Sequence, residues 1–311
     1  MTSQNSIDIL SVGGSLAKRI VTNDELSHLV ETSDEWITTH TGIKERRFSE
    51  DGVLTSDLAV EAALSMGVSL SDVDGVIVAT ATPDYKGFPS TACIIVEKLQ
   101  LNNVHVAFDM AAGCTGFIYA LETARALVVA GTCSKLLIFG AETMSSVLDF
   151  TDRNTCVLFG DGAGCALVAA GSGLKKSIIG VEGSGAKSLY INSKNHIKMD
   201  GRAVYKFAVA RIVEVIQNLA DDMGTTPSDI TWIVPHQANE RIIRAAAARL
   251  HISEDKFFLN VDKMANTSAA SIPLALWDMD KQGKLKKGDS VLLIGFGAGL
   301  TYGGNYLVWN K

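Results

Sequence analysis

Residues 71–79 read SDVDGVIVA, and residues 228–236 read SDITWIVPH. The two stretches align without a gap, 157 residues apart. Each follows an amphipathic segment, LAVEAALSMGVSL (58–70) in the first case and FAVARIVEVIQNLADDMGTTP (207–227) in the second. Helical periodicity followed by a short run rich in Val and Ile is the pattern of a helix leading into a buried strand. What comes next also matches in order. VAFDMAAGC leads through an apolar helix to the strand KLLIFGAE, and FFLNVDKMANTSAA leads through SIPLALWDMDKQGKL to the strand SVLLIGFGAG. The repeat predicts two related α/β halves, 1–170 and 171–311. Strands that alternate with helices predict mostly parallel sheets covered on both faces. AAGSGLKKS (169–177) reads as a turn between halves that pack on each other, and GDGAG (160–164) as a tight turn between two short strands.

Composition bounds the function. The chain has 311 residues, 47% of them hydrophobic and 20% charged, with a net charge of -6. That is the make-up of a well-buried globular protein, and it lacks the basic balance of a nucleic-acid or membrane-surface binder. The start, MTSQNSIDIL, has no basic region followed by an apolar one, and no apolar run is long enough to span a membrane. The five cysteines (Cys93, Cys114, Cys133, Cys156, Cys165) are odd in number and fit no zinc spacing. No metal is expected, and a reducing cytoplasm is the simplest location.

The ends of parallel strands are where α/β folds place ligand sites. Three polar residues fall there. Cys114 follows the strand VAFDM, His236 ends the strand TWIVP, and Asn266 follows the expected strand FFLNV. In DMAAGCTGF (109–117) the glycines allow a sharp turn into a helix. A thiol at a helix N-terminus has its pKa lowered, which suits an acyl-accepting nucleophile. Each residue also has an ordinary reading: a packed thiol, a hydrogen-bonded core histidine, a helix-capping asparagine.

Taken together, the motifs resemble 3-oxoacyl-[acyl-carrier-protein] synthase III, the initiating condensing enzymes of dissociated fatty acid synthesis. The resemblance rests on TSDEWI (32–37), TGIKERR (41–47), GFPSTAC (87–93), DMAAGCTGFIYAL (109–121), TDRNTCVLFGDGAG (151–164), VPHQANERII (234–243), NTSAASIPLAL (266–276) and GFGAGLTYGG (295–304). It implies a thiolase fold, with duplicated halves stacked as αβαβα layers. It also implies a Cys-His-Asn triad of Cys114, His236 and Asn266, and an acyl oxyanion hole made by the backbone N–H groups of Cys114 and Ala298. The implied reaction is ping-pong. Cys114 takes an acyl group, most simply acetyl, from acyl-CoA. Malonyl-acyl carrier protein then loses carbon dioxide, and the resulting carbanion attacks the acyl-enzyme. No cofactor is implied, because acyl-CoA is a substrate.

The resemblance assigns CoA contacts to Thr32, Trp36, Arg153, Gly201, Ala238 and Asn239. The acyl pocket is assigned Phe88, from a partner subunit, and Phe296, which implies a homodimer. Carrier-protein docking falls on Gln237, Arg241, Lys206 and Arg249. Two positions depart from the pattern: His40 stands where an Arg is usual, and Arg202 where an Asn is frequent. Arg202 could supply the charge that His40 lacks. Rival readings fit less well. A papain-like hydrolase has a different local signature around its cysteine. Elongating condensing enzymes use two histidines, thiolases need a second cysteine in the C-terminal half, and HMG-CoA synthase-like enzymes use a catalytic Glu. The alternative retained is a condensing enzyme that takes a bulkier acyl starter in secondary metabolism.

Overall fold

The computed structural model describes residues 6–311. An N-terminal sheet holds β1 (Ser6–Leu16), β2 (Gly75–Ala79), β3 (Val106–Met110), β4 (Lys135–Thr143) and β5 (Asp161–Gly171), in the order β1-β5-β4-β2-β3. A C-terminal sheet holds β6 (Leu174–Val181), β7 (Trp232–Pro235), β8 (Ser290–Gly297) and β9 (Thr301–Val308), in the order β7-β8-β9-β6. The main helices are α1 (Asp34–Thr41), α2 (Thr55–Leu64), α3 (Thr91–Lys98), α4 (Gly116–Val129), α5 (Gly201–Asp222), α6 (Glu240–Leu250) and α7 (Ser271–Lys281). Helices α2 and α3 cover the outer face of the N-terminal sheet, α5 and α6 the outer face of the C-terminal sheet, and α4 and α7 lie between the sheets. The result is the expected αβαβα stack.

The middle layer explains the apolar character of the sequence. Helix α4 buries Phe117, Ile118, Leu121 and Ala124 between two sheets, and α7 buries Ile272, Leu274, Leu276 and Met279. Each large apolar side chain removed from water contributes about 1.5–3 kcal/mol. The two charges on α4, Glu122 and Arg125, pair with each other.

Three sequence expectations are corrected. The sheets are mixed rather than mostly parallel. β2 runs parallel to β3 and β4, and β7 to β8, whereas the β1–β5, β4–β5, β8–β9 and β6–β9 pairs are antiparallel. The short 298–300 connection between β8 and β9 leaves no room for a crossover, so that pair is a hairpin. GDGAG is no turn: Asp161 opens the eleven-residue β5, where a Cβ on Gly164 would lie 2.6 Å from Leu274 N, so α7 presses on this strand. FFLNV is not a strand either. Only Phe257 makes a bridge, to Ile233, because the Gln237 side chain takes the neighbouring backbone groups, binding Phe258 O and Asn260 N.

Candidate active site

Strand β3 ends at Met110, and a single 3-10 turn (Gly113–Thr115) then feeds α4. Gly113 opens that turn at φ 53, a left-handed conformation that favours glycine. Cys114 therefore sits at the entry of a buried helix, as expected. The end of β8 crosses it closely: a Cβ on Gly297 would lie 2.7 Å from Cys114 N. The thiol points into the interior, and its Sγ–H donates to Ser268 Oγ at 3.6 Å. Its pKa is not lowered, and this corrects the sequence reading. Burial pushes the Cys114 thiol up to about 12; the Ser268 hydroxyl, which can turn to donate to the thiolate, works against that rise and the Glu142 carboxylate adds to it. At neutral pH Cys114 is a thiol.

His236 follows β7, with its backbone N–H donating to Ile294 O at 2.8 Å. Its Nδ1 lies 2.6 Å from Ser271 Oγ, and its ring packs edge-on against Phe296 at 5.3 Å. Burial pushes its pKa down to about 3, so the imidazole is neutral across the physiological range. Asn266 is clamped against the Leu158–Gly160 segment. Its N–H donates to Leu158 O, and its C=O accepts from Gly160 N. The Ser268 N–H donates to Asn266 Oδ1 at 2.8 Å, which fixes the oxygen and leaves Nδ2 as the free donor end of the amide.

Cys114, His236, Asn266, Phe296 and Gly297 line one cavity of about 130 Å³, which runs outward past Met199, Gly201, Ala238 and Asn239. A second cavity, about 70 Å³ and almost wholly apolar, opens on the other side of Cys114 between Met144, Phe159, Leu189, Ile197 and Ala298. The Ala298 loop is tied to the cysteine turn through two threonines. The Thr115 and Thr301 hydroxyls lie 2.8 Å apart, with Thr301 Oγ1 2.9 Å from Ala298 O. Thus a thiol, a neutral histidine and an oriented amide face one apolar space with a channel to the surface. That arrangement can accept an acyl group and place hydrogen-bond donors at a developing oxyanion.

Comparison with known proteins gives the same direction. Residues 108–184 match the family model described as 3-Oxoacyl-[acyl-carrier-protein (ACP)] synthase III, and residues 220–309 match its C-terminal model. The chain is 46% identical to the beta-ketoacyl-[acyl-carrier-protein] synthase III of Oceanobacillus iheyensis, over 98% of this chain and 100% of that protein. The 3-oxoacyl-[acyl-carrier-protein] synthase III of Aquifex aeolicus superposes with a TM-score of 0.93 at 41% identity, covering 97% of this chain and 100% of that one. The priming beta-ketosynthase of the R1128 polyketide pathway superposes at 0.92 with 33% identity, over 98% and 97%. The chain belongs to the 3-oxoacyl-[acyl-carrier-protein] synthase III family. It has that family's thiolase fold and is a condensing acyltransferase.

The positions that the family resemblance assigns fall in three places. Gly201, Ala238 and Asn239 line the channel, and Phe296 lines the cavity. Asn239 also caps α6 and donates to His40 O. Trp36, on α1, stacks on His40 at 4.5 Å and carries Arg153 over its ring at 4.8 Å. Arg153 in turn donates to Glu31 O. The Thr32 hydroxyl is buried with no partner among the described residues. Arg241, Lys206 and Arg249 are exposed, as is Arg202, whereas Arg244 is held by Glu240. Gln237 is corrected: it is 1% exposed and spends its side chain on Pro235 O, Phe258 O and Asn260 N, so it cannot meet a docking protein. Phe88 is 90% exposed and touches neither cavity of its own chain.

The sequence reading passed over Ser268, Ser271, Thr301 and Glu142. Glu142 is buried at the end of β4. It accepts from Thr80 Oγ1, Ala81 N, Thr82 N and Thr82 Oγ1, and it faces Ala269 N at 3.5 Å, at the entry to α7. Burial raises its pKa, and those bonds oppose the rise. The one sequence signal was the acid inside the otherwise apolar run KLLIFGAE, which the strand pattern absorbed.

Proposed function

We propose that this chain starts fatty acid synthesis by joining a short acyl group, acetyl most simply, to malonyl-acyl carrier protein in a ping-pong reaction. The observation that carries the proposal is the single cavity wall shared by Cys114, His236 and Asn266. Cys114 Sγ attacks the acyl-CoA carbonyl, the thioester C–S bond breaks, and the thiol proton leaves with CoA. The backbone N–H groups of Cys114 and Ala298 face the oxyanion of that step. Malonyl-carrier protein then enters and its C–CO2 bond breaks. The electron pair passes into an enolate whose oxygen is held by His236 Nε2–H and Asn266 Nδ2–H. The enolate carbon attacks the acyl-cysteine, a C–C bond forms, the C–S bond breaks, and the Cys114 sulfur leaves as thiolate and regains a proton from solvent. The decarboxylation itself supplies the nucleophile, so the reading needs no cofactor.

The channel past Gly201, Ala238 and Asn239 suits a pantetheine arm. Trp36, Thr32 and Arg153 suit its nucleotide end, and Arg241, Lys206 and Arg249 suit an acidic carrier. In this reading 1–170 and 171–311 are the duplicated halves, the enzyme works in a reducing cytoplasm, and Phe88 projects into the acyl pocket of a second copy. Intact-protein mass tests the proposal: one acetyl gained from acetyl-CoA, then lost on adding malonyl-carrier protein. No gain from any acyl-CoA overturns it. The likeness to the R1128 priming enzyme supports a second reading, in which the starter is bulkier. Labelling by a longer or branched acyl-CoA but not by acetyl-CoA would select it.

A further inference from the structure

We propose that Ser271 fixes the tautomer of His236, holding Nδ1 bare and Nε2 protonated, and so makes this histidine a hydrogen-bond donor toward the cavity. Ser271 is the first residue of α7 and is buried. Its Oγ lies 2.6 Å from His236 Nδ1, and the Gln237 backbone N–H donates to the same oxygen at 3.3 Å.

A hydroxyl has one proton to give and two lone pairs to receive with. The Gln237 N–H occupies one lone pair. If His236 Nδ1 carried a proton, it too would donate to Ser271 Oγ. The hydroxyl proton would then have no acceptor, because no other protein group among the described residues lies within hydrogen-bond reach of that oxygen. Ser271 and His236 are only 2% and 1% exposed, and a buried orphaned donor is disfavoured. With Nδ1 bare, every proton has a place: Gln237 N–H to Ser271 Oγ, and Ser271 O–H to His236 Nδ1.

Both ends of this chain of bonds are rigid. Gln237 is pinned by three side-chain bonds, and the His236 ring is held by Phe296. Ser271 touches no reacting atom, so it is a positioning residue. Its catalytic consequence rests on the condensation reading. A protonated Nε2 stabilises an enolate oxygen, whereas a bare Nε2 presents it with a lone pair.

The test starts with the unmodified protein. In 15N-histidine-labelled enzyme, the resonances missing from a His236→Asn variant belong to His236. The expected pattern is an unprotonated Nδ1 and a protonated Nε2 over pH 6–8. A protonated Nδ1 overturns the proposal, whatever the fate of any variant. Ser271→Ala is then expected to slow malonyl-dependent decarboxylation roughly tenfold to a hundredfold, the kinetic equivalent of one unsatisfied buried hydrogen-bonding atom. Acylation of Cys114 should fall less than decarboxylation. Ser271→Thr, which keeps the hydroxyl, should restore most of the rate. Ser271→Ala with unchanged histidine resonances and an unchanged malonyl step also overturns the proposal. If the unmodified enzyme shows the expected tautomer but never loses its acyl group to malonyl-carrier protein, the condensation reading fails and the tautomer assignment stands.

Discussion

The two helices of the middle layer begin in the same way and do different work. Helix α4 is entered through the 3-10 turn Gly113–Thr115, and α7 through the 3-10 turn Ser268–Ala270. Both turns open on a residue with positive φ, Gly113 at 53 and Ser268 at 50. The first turn has a glycine there because its Cβ position lies 3.2 Å from Ala298 Cβ and Ala298 N, and because the loop must approach closely. The second has a serine, which keeps a strained backbone in exchange for a hydroxyl placed against the thiol. The turns touch through Cys114 and Ser268, and the next residue on the second helix that matters, Ser271, reaches His236. One helix entry carries the thiol, and the other bonds both the thiol and the histidine. Both groups are buried, so these side-chain hydrogen bonds orient them.

The largest effect should come from removing the nucleophile. Cys114→Ala should abolish acyl transfer from acyl-CoA, with at least a ~10³-fold loss in single-turnover mass spectrometry. Persistent labelling of the variant would move the chemistry away from α4. Next come the donors on the opposite wall: His236→Ala and Asn266→Ala should each lower malonyl decarboxylation by about 10²–10³-fold and lower Cys114 acylation less. Equal losses in both steps would mean that the two walls are not divided as described.

The pH profile sharpens the same division. The His236 pKa lies at about 3, below its ordinary value, so the malonyl step should show no inflection between pH 5 and 8. A titration near pH 6.5 would show a solvated histidine. The Cys114 pKa is raised to about 12, so its thiolate fraction, and with it alkylation of the substrate-free enzyme, should rise about tenfold per pH unit through pH 6–9. Ser268→Ala removes a bond that lowers this pKa and should slow alkylation further at each pH. The smallest effect concerns the turns themselves. Gly113→Ser should destabilise the protein by about 1–2 kcal/mol, whereas Ser268→Gly should cost less or stabilise, read as denaturant midpoints.

The fold was legible because it is written in hydrophobic period: the helix-to-strand passages at 58–79 and 207–236 recur as α2–β2 and α5–β7. That Cys114, His236 and Asn266 meet at one cavity was legible because Cys114 and His236 come just after strands, behind small residues or proline, and Asn266 stands in the matching small-residue run. What escaped was whatever depends on proximity without pattern. Ser271 is one small residue in an Ala-rich run, and nothing in NTSAAS distinguishes a structural hydroxyl from one that faces a histidine 35 positions away. The thiol pKa was misjudged for a similar reason. A helix entry is visible in sequence, but the depth of burial that outweighs it is not. Gln237 was misplaced because its neighbour in sequence lines the cavity, while its side chain turns inward to bond the backbone at Phe258 and Asn260.

The contacts that finish the site span long stretches of chain: Cys114 with Ser268 across 154 residues, Thr115 with Thr301 across 186, and Ala269 with Glu142 across 127. On the ribosome the N-terminal sheet is complete well before any of these partners has been made. Until then the Glu142 carboxylate lacks its contact with Ala269, and the cysteine turn lacks the floor on which it rests. Catalytic competence is therefore the last property this chain acquires during synthesis. A nascent fragment, however well its first sheet is folded, carries a cysteine but no enzyme.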